Sequence, residues 1–172
     1  MAMNKQWPYF LLAFVLPLLV VFWWWGAFST PEIKVEQRNA MRYAYLVSEG
    51  DYSKAEDKQR EVADLLKQQK ITAGQAITLI EDDPRKTPST QRHARAGIVI
   101  DANAQPAAPL LVGDLPQRQA VVVSARGHPF IVYGKAYGAL LSYLDMHGLA
   151  LELPVAETAH ENTLTIEMAL RR

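Results

Sequence analysis

The chain has 172 residues and no cysteine, which excludes disulfides, thiolate nucleophiles and Cys-ligated zinc. It has no surplus of either charge, since 18 Lys and Arg balance 18 Asp and Glu. A nucleic-acid-binding domain carries a clear basic excess, so nucleic acid is not expected as a partner. Tryptophan is missing from everything after residue 25, because all four lie at or before that position. Gly134-Lys135 lacks the glycine spacing of a phosphate loop, and there is no nucleophile elbow. His93, His128, His147 and His160 have no metal-ligand spacing. Neither a metal nor a cofactor is implied. The lack of cysteine is compatible with periplasm and cytosol alike.

What the chain has instead is one long apolar run. Tyr9 to Phe28 carries no charge and is about the length needed to cross a bilayer core as a helix. Trp23, Trp24 and Trp25 stand near its end, where indole rings favour the headgroup boundary, and Pro17 predicts a kink. A cleaved signal peptide fits less well, because the run is too long and Phe28 would precede the cut. The expected layout is a tail over 1–8, a transmembrane helix over 9–28, a connector over 29–37 and a folded domain over 38–172. The positive-inside rule does not favour a cytoplasmic N-terminus, with Lys5 before the run and Lys34, Arg38 and Arg42 after it. The short tail argues the other way. The expectation is a single-pass protein of a bacterial inner (cell) membrane, with its domain on the periplasmic side.

Beyond the connector, hydropathy patterns become regular. Arg42 to Ser48 alternates as a half-buried strand, and Glu49-Gly50-Asp51 turns the chain. Ser53 with Glu56 reads as a capping box for a helix to about Gln69, whose apolar stripe holds Ala55, Val62, Leu65 and Leu66. Ala76 to Glu81 and Gly97 to Asp101 are further strands, and Asn103 to Pro109 is a connector. The order then recurs. Gln119 to Ala125 is a strand, Gly127 a turn, Ile131 to about His147 a helix closed by Gly148. Leu149 to Glu157 and Thr163 to Leu170 are the last strands. The fold class is therefore α+β, with two pseudo-symmetric strand-helix-strand-strand repeats. Each repeat makes a small sheet carrying one helix, and their pairing leaves a cleft suited to a ligand.

Four segments carry a resemblance: AYLVSEGDY (Ala44–Tyr52), ITLIEDDP (Ile77–Pro84), RAGIVID (Arg95–Asp101) and VVSARGHPFIVYGKAYGALLSYLDMHGL (Val122–Leu149). In order and spacing they resemble the GyrI-like small-molecule-binding domain, also met as the effector-binding part of AraC-type and MerR-type multidrug regulators. The resemblance implies an aromatic-lined cleft in which a buried carboxylate meets cationic or amphipathic molecules. Glu157 is the position that matches this carboxylate, and Tyr45, Tyr52, Phe130, Tyr133 and Tyr137 are the candidate wall residues. A tyrosine usual shortly after the Glu is Ala159 here. Some relatives are hydrolases that use a Trp with a Glu. The absence of Trp from the domain argues against that chemistry, and the chain is not read as an enzyme.

The resulting expectation is a membrane-tethered module that holds a small amphipathic or cationic molecule between its two repeats. The alternative is a protein-interaction domain that recruits a partner to the membrane.

Overall fold

A computed structural model describes residues 7–26 and 28–170. Helix α1 covers Trp7–Trp24, and the chain then turns through Gly26 in the left-handed region at φ +78°. The strands are β1 (Glu32–Arg38), β2 (Met41–Glu49), β3 (Ala76–Ile80), β4 (His93–Ile100), β5 (Leu111–Leu115), β6 (Arg118–Arg126), β7 (Val155–His160) and β8 (Thr163–Ala169). Helix α2 spans Ala55–Gln68 and α3 spans Pro129–His147.

All eight strands form one antiparallel sheet in the order β1-β6-β8-β7-β3-β4-β2-β5. The order is a palindrome of the two halves. It meets at the centre in β3 and β7, where Thr78 stands opposite Glu157 and Leu79 opposite Ala156. The expected pair of small sheets is thus corrected to one continuous sheet. Each half leaves an unpaired strand edge, and joining the two satisfies both rows of backbone donors and acceptors.

The turns after β2 and β6 show how closely the halves correspond. Gly50 N–H donates to the Arg92 carbonyl at 2.8 Å, and Gly127 N–H donates to the Asn162 carbonyl at 2.9 Å. The next residue in each half caps the following helical segment. Asp51 accepts from Ser53 N–H at 2.8 Å, and His128 accepts from Phe130 N–H at 3.3 Å. The cap is therefore Asp51, ahead of a short 3-10 turn over Tyr52–Lys54, and the Ser53–Glu56 capping box is not formed.

Two strands were not expected. Residues 29–37, read as a connector, largely form β1, which pairs with β6 along its whole length. In EIKVEQR the charges alternate with Ile33 and Val35, a pattern suited to an edge strand. At the opposite edge β5 pairs with β2. The strand leading into each half thus crosses to the outer edge of the other half.

Both helices lie on one face of the sheet. Val62 and Leu66 of α2 pack with Ala44, Ile98, Ile100 and Leu110. Val132, Ala136, Leu140 and Leu144 of α3 recur every four residues and pack on Val121, Val123, Leu164, Ile166 and Met168. Helix α3 ends at Gly148, at φ +63°, as the sequence predicts. The other face holds Tyr43, Ile77, Leu79 and Ala156.

Helix α1 stands apart from these clusters. Its side chains from Leu11 to Trp24 are all exposed, and Trp24 is 84% exposed. Eighteen residues at about 1.5 Å each give roughly 27 Å, against a hydrocarbon core of about 30 Å. No helix among the described residues is long and apolar enough to cross a membrane. The run expected to continue to Phe28 is cut short where Gly26 reverses the backbone.

Candidate functional site

Because α2 packs on β2 and β4 while α3 packs on β6 and β8, the central strands β3 and β7 carry no helix. A cavity of about 730 Å³ occupies that gap. Its floor includes Thr78 and Ile80 of β3 and Glu157 and Ala159 of β7. One wall is the start of α2 with its preceding turn, bringing Tyr52, Glu56 and Gln59. The facing wall is the first half of α3, with Val132, Tyr133 and Tyr137.

Glu157 is the centre of its chemistry. The residue is 8% exposed, and Tyr137 donates its hydroxyl to Oε1. Burial raises its carboxyl pKa from 4.5 to about 7, although the Tyr137 hydrogen bond pulls the other way. The phenols around it are held protonated. Burial pushes Tyr52 and Tyr133 up to about 12, and Tyr137 still higher through burial and the neighbouring Glu157. Tyr52 in turn donates to the Asp82 carbonyl at 3.0 Å, which fixes its ring at the cavity edge. Gln59 Nε2 donates to Thr78 Oγ1 at 2.8 Å, tying α2 to the floor beside Glu157.

No Lys, Arg or His is among the described residues lining the cavity, whereas Glu56, Glu157 and Glu161 are. The site thus offers a desolvated carboxylate, phenol rings and apolar surface. That combination attracts a cation by charge and by the negative face of an aromatic ring. None of its described lining residues supplies a compensating positive charge.

The cavity brings together four of the six residues picked from the sequence, Glu157, Tyr52, Tyr133 and Tyr137. It does not include Tyr45 or Phe130. Tyr45 points to the opposite face of the sheet, where its ring lies 5.4 Å from that of Tyr43 and the Arg95 guanidinium stacks over it. Strand alternation sends Ala44 and Leu46 toward α2, so Tyr43 and Tyr45 must both face away. Phe130 sits in the first turn of α3 off the buried stripe and is 89% exposed. Gln59 and Thr78 went unnoticed in the sequence. The β3–β7 register that sets Thr78 opposite Glu157 joins residues 79 positions apart and leaves no local signal.

Among curated proteins no sequence relative matches the chain. Similar folds occur among solved structures. The C-terminal domain of EcmrR superposes with a TM-score of 0.68 at 12% identity, covering 83% of this chain and 98% of that domain. SAV2435, solved bound to tetraphenylphosphonium, gives 0.57 at 14% identity, with 81% and 94% covered. A hydrolase from Listeria innocua gives 0.55 at 9% identity, with 83% and 92% covered. At such identities the likeness is one of fold. Residues 31–168 match the GyrI-like small molecule binding domain, a span that starts at β1 and ends in β8, and the chain belongs to that family.

Proposed function

We propose that the chain is a membrane-tethered binding module for a small amphipathic cation, held between α2, α3 and the central strands. The observation that carries this reading is Glu157, a buried carboxylate on the floor of a cavity with no basic side chain among its described lining residues. A cation entering there meets the charge that burial otherwise disfavours. Part of the cost of ionising Glu157 is then recovered as binding energy. The rings of Tyr52, Tyr133 and Tyr137 supply apolar contact and cation–π attraction. Family membership supports small-molecule binding, and a solved protein of similar fold is bound to a lipophilic cation.

Tethering is supported by α1. Its described side chains have no polar face, and the exposed row includes Leu11, Leu12, Phe14, Leu16, Leu18 and Leu19. Such a surface is stable against lipid and unstable against water. The helix holds the domain at the membrane. The three consecutive Trp at its end suit the headgroup layer.

Calorimetric titration of the full chain in detergent with tetraphenylphosphonium tests the reading. We expect saturable one-to-one binding, weakened about tenfold or more by Glu157→Gln, the loss of roughly 1.4 kcal/mol of charge attraction. Equal affinity in the two proteins would remove Glu157 from the site. Absence of binding to either, across a panel of aromatic cations, would turn the weight to the protein-recruitment alternative.

A further inference from the structure

The end of α1 is packed against the domain where the cavity comes to the surface. Gly26 lies so close to the turn before α3 that a Cβ there would stand 2.8 Å from the Arg126 carbonyl oxygen and 2.9 Å from Gly127 Cα. The Trp25 ring stacks on His128 with centroids 4.6 Å apart, and His128 N–H donates to the Trp25 carbonyl at 2.9 Å. Ser29 Oγ bonds the carbonyls of Gly26 and Arg126, each at 2.7 Å. Lys135 of α3 donates to the carbonyls of Gly26 and Ser29. The helix is therefore seated on the domain at one defined place.

Beside this seat is a second hollow of about 480 Å³, lined by residues that include Trp24, Trp25, Arg126 and His128. Three further lining residues, Gly127, Pro129 and Asn162, belong to the main cavity as well. The two spaces thus meet at a shared rim. Trp24 of its lining, and Trp23, Phe28 and Phe130, each next in sequence to a lining residue, leave most of their apolar surface uncovered. Trp23 is 72% exposed, Trp24 84%, Phe28 67% and Phe130 89%. Arg126 in its lining is exposed too. Exposed aromatics together with a cation are the chemistry of the lipid headgroup layer, where rings sit at the boundary and guanidinium meets phosphate. This edge is continuous with the apolar surface of α1, which already commits it to lipid.

We propose that this hollow is a membrane-facing portal, through which an amphiphile dissolved in the headgroup layer reaches the Glu157 cavity without crossing bulk water. The proposal rests on the binding and tethering reading above and adds the route. The ligands it favours are those that partition into the bilayer with the charged end outward. In the portal geometry Phe130 has a role that its absence from the cavity leaves open. It dips into the lipid beside the opening.

The absence of cysteine makes the test clean. In the full chain reconstituted in phosphatidylcholine vesicles, Phe130→Cys labelled with an environment-sensitive fluorophore is compared with Asp114→Cys on β5, at the far edge of the sheet. Brominated acyl chains are expected to quench the label at 130 and spare the one at 114. In the same vesicles, stopped-flow binding of tetraphenylphosphonium is followed for the wild type and Arg126→Trp, a bulky change in the lining of the hollow and outside that of the main cavity. We expect association and dissociation to slow together by about tenfold, with the dissociation constant unchanged.

Unaltered rates in Arg126→Trp, while Glu157→Gln still weakens affinity, would overturn the portal and leave the binding reading standing. Equal quenching of both labels, or of neither, would overturn the membrane contact. Disulfide formation between two copies of unlabelled Phe130→Cys under a mild oxidant, with no quenching of the labelled form, would do the same, and would assign the edge to self-association. A wild type that fails to bind the probe would overturn the portal together with the binding reading.

Discussion

Glu157 makes opposite demands on stability and on binding, and the sign of each follows from its raised pKa. In the unfolded chain the carboxyl titrates near 4.5, and in the folded protein near 7. Between these values the unfolded state is ionised while the folded state still holds its proton. The folded protein is therefore penalised progressively as pH rises from about 4.5, and the penalty levels off above about 7. Two and a half units correspond to roughly 3 kcal/mol. Glu157→Gln keeps an acceptor for the Tyr137 hydroxyl and removes the ionisation. Denaturant unfolding at pH 8 should find the unliganded mutant more stable by about 3 kcal/mol, with the difference gone near pH 4.5. Binding runs the other way. Affinity for an aromatic cation should rise by up to about tenfold per pH unit below pH 7 and flatten above it, because only the carboxylate attracts the ligand. Tyr137→Phe removes a hydrogen bond that favours the carboxylate, so the midpoint of that curve should move upward. A titration series at fixed ionic strength checks the curve. An unmoved midpoint would mean that the Tyr137 contact carries no electrostatic weight.

At the scale of elements, a second buried carboxylate behaves quite differently because it has partners. Glu167 of β8 is 1% exposed. Arg38 of β1 donates to Oε1 through Nε at 2.9 Å, and Arg118 of β6 donates to Oε2 at 2.6 Å. These bonds clamp the crossing strand β1 to its adopted edge. Removing the carboxylate in Glu167→Ala strands Arg118, whose side chain is only 12% exposed, and should cost about 3–5 kcal/mol in urea unfolding. Arg38→Ala, whose side chain is 30% exposed, should cost clearly less. The clamp also shows what the sequence could and could not reveal. Strands β2, β3 and β6 and both domain helices were legible because their apolar periodicity is set by burial against one face. The edge strands were not. EIKVEQR in β1 reads as a polar connector, and LVGDL in β5 has a glycine where a strand residue is expected. They become strands only because a partner edge on the other half is open. Tyr45, named from the sequence as a candidate wall residue, lies on the face away from the cavity for a related reason. Alternation tells which residues share a face, and which face receives the helices depends on the distant packing of α2. Glu157 was identified through a family resemblance, while its neighbours Gln59 and Thr78 depend on contacts between elements that periodicity does not encode.

For the molecule as a whole, the two halves do different work despite their matched topology. The half containing α3 supplies Glu157, Tyr133 and Tyr137, while the half containing α2 supplies Tyr52, Gln59 and Thr78. At the mirror position of Glu157 in the central strand pair stands Thr78, so the symmetric scaffold holds one deeply buried charge and one neutral partner. Two carboxylates facing each other at that depth would share a proton and weaken the attraction for a single cation. The asymmetry extends to the end of α1, where Trp25, Gly26 and Ser29 are seated on the second half, on the turn before α3 and on Lys135. All three core clusters draw their residues from position 33 onward, so the domain does not depend on α1 for its core. A fragment over 31–172 should therefore fold and bind tetraphenylphosphonium within about twofold of the full chain, since the lining of the cavity is retained intact. It should also fail to float with phosphatidylcholine vesicles, whereas the proposed tethering predicts that the full chain floats. Loss of binding in a folded fragment would show that the seat of α1 shapes the cavity itself. Flotation of the fragment would transfer the membrane affinity from the helix to the exposed aromatic edge around Phe130.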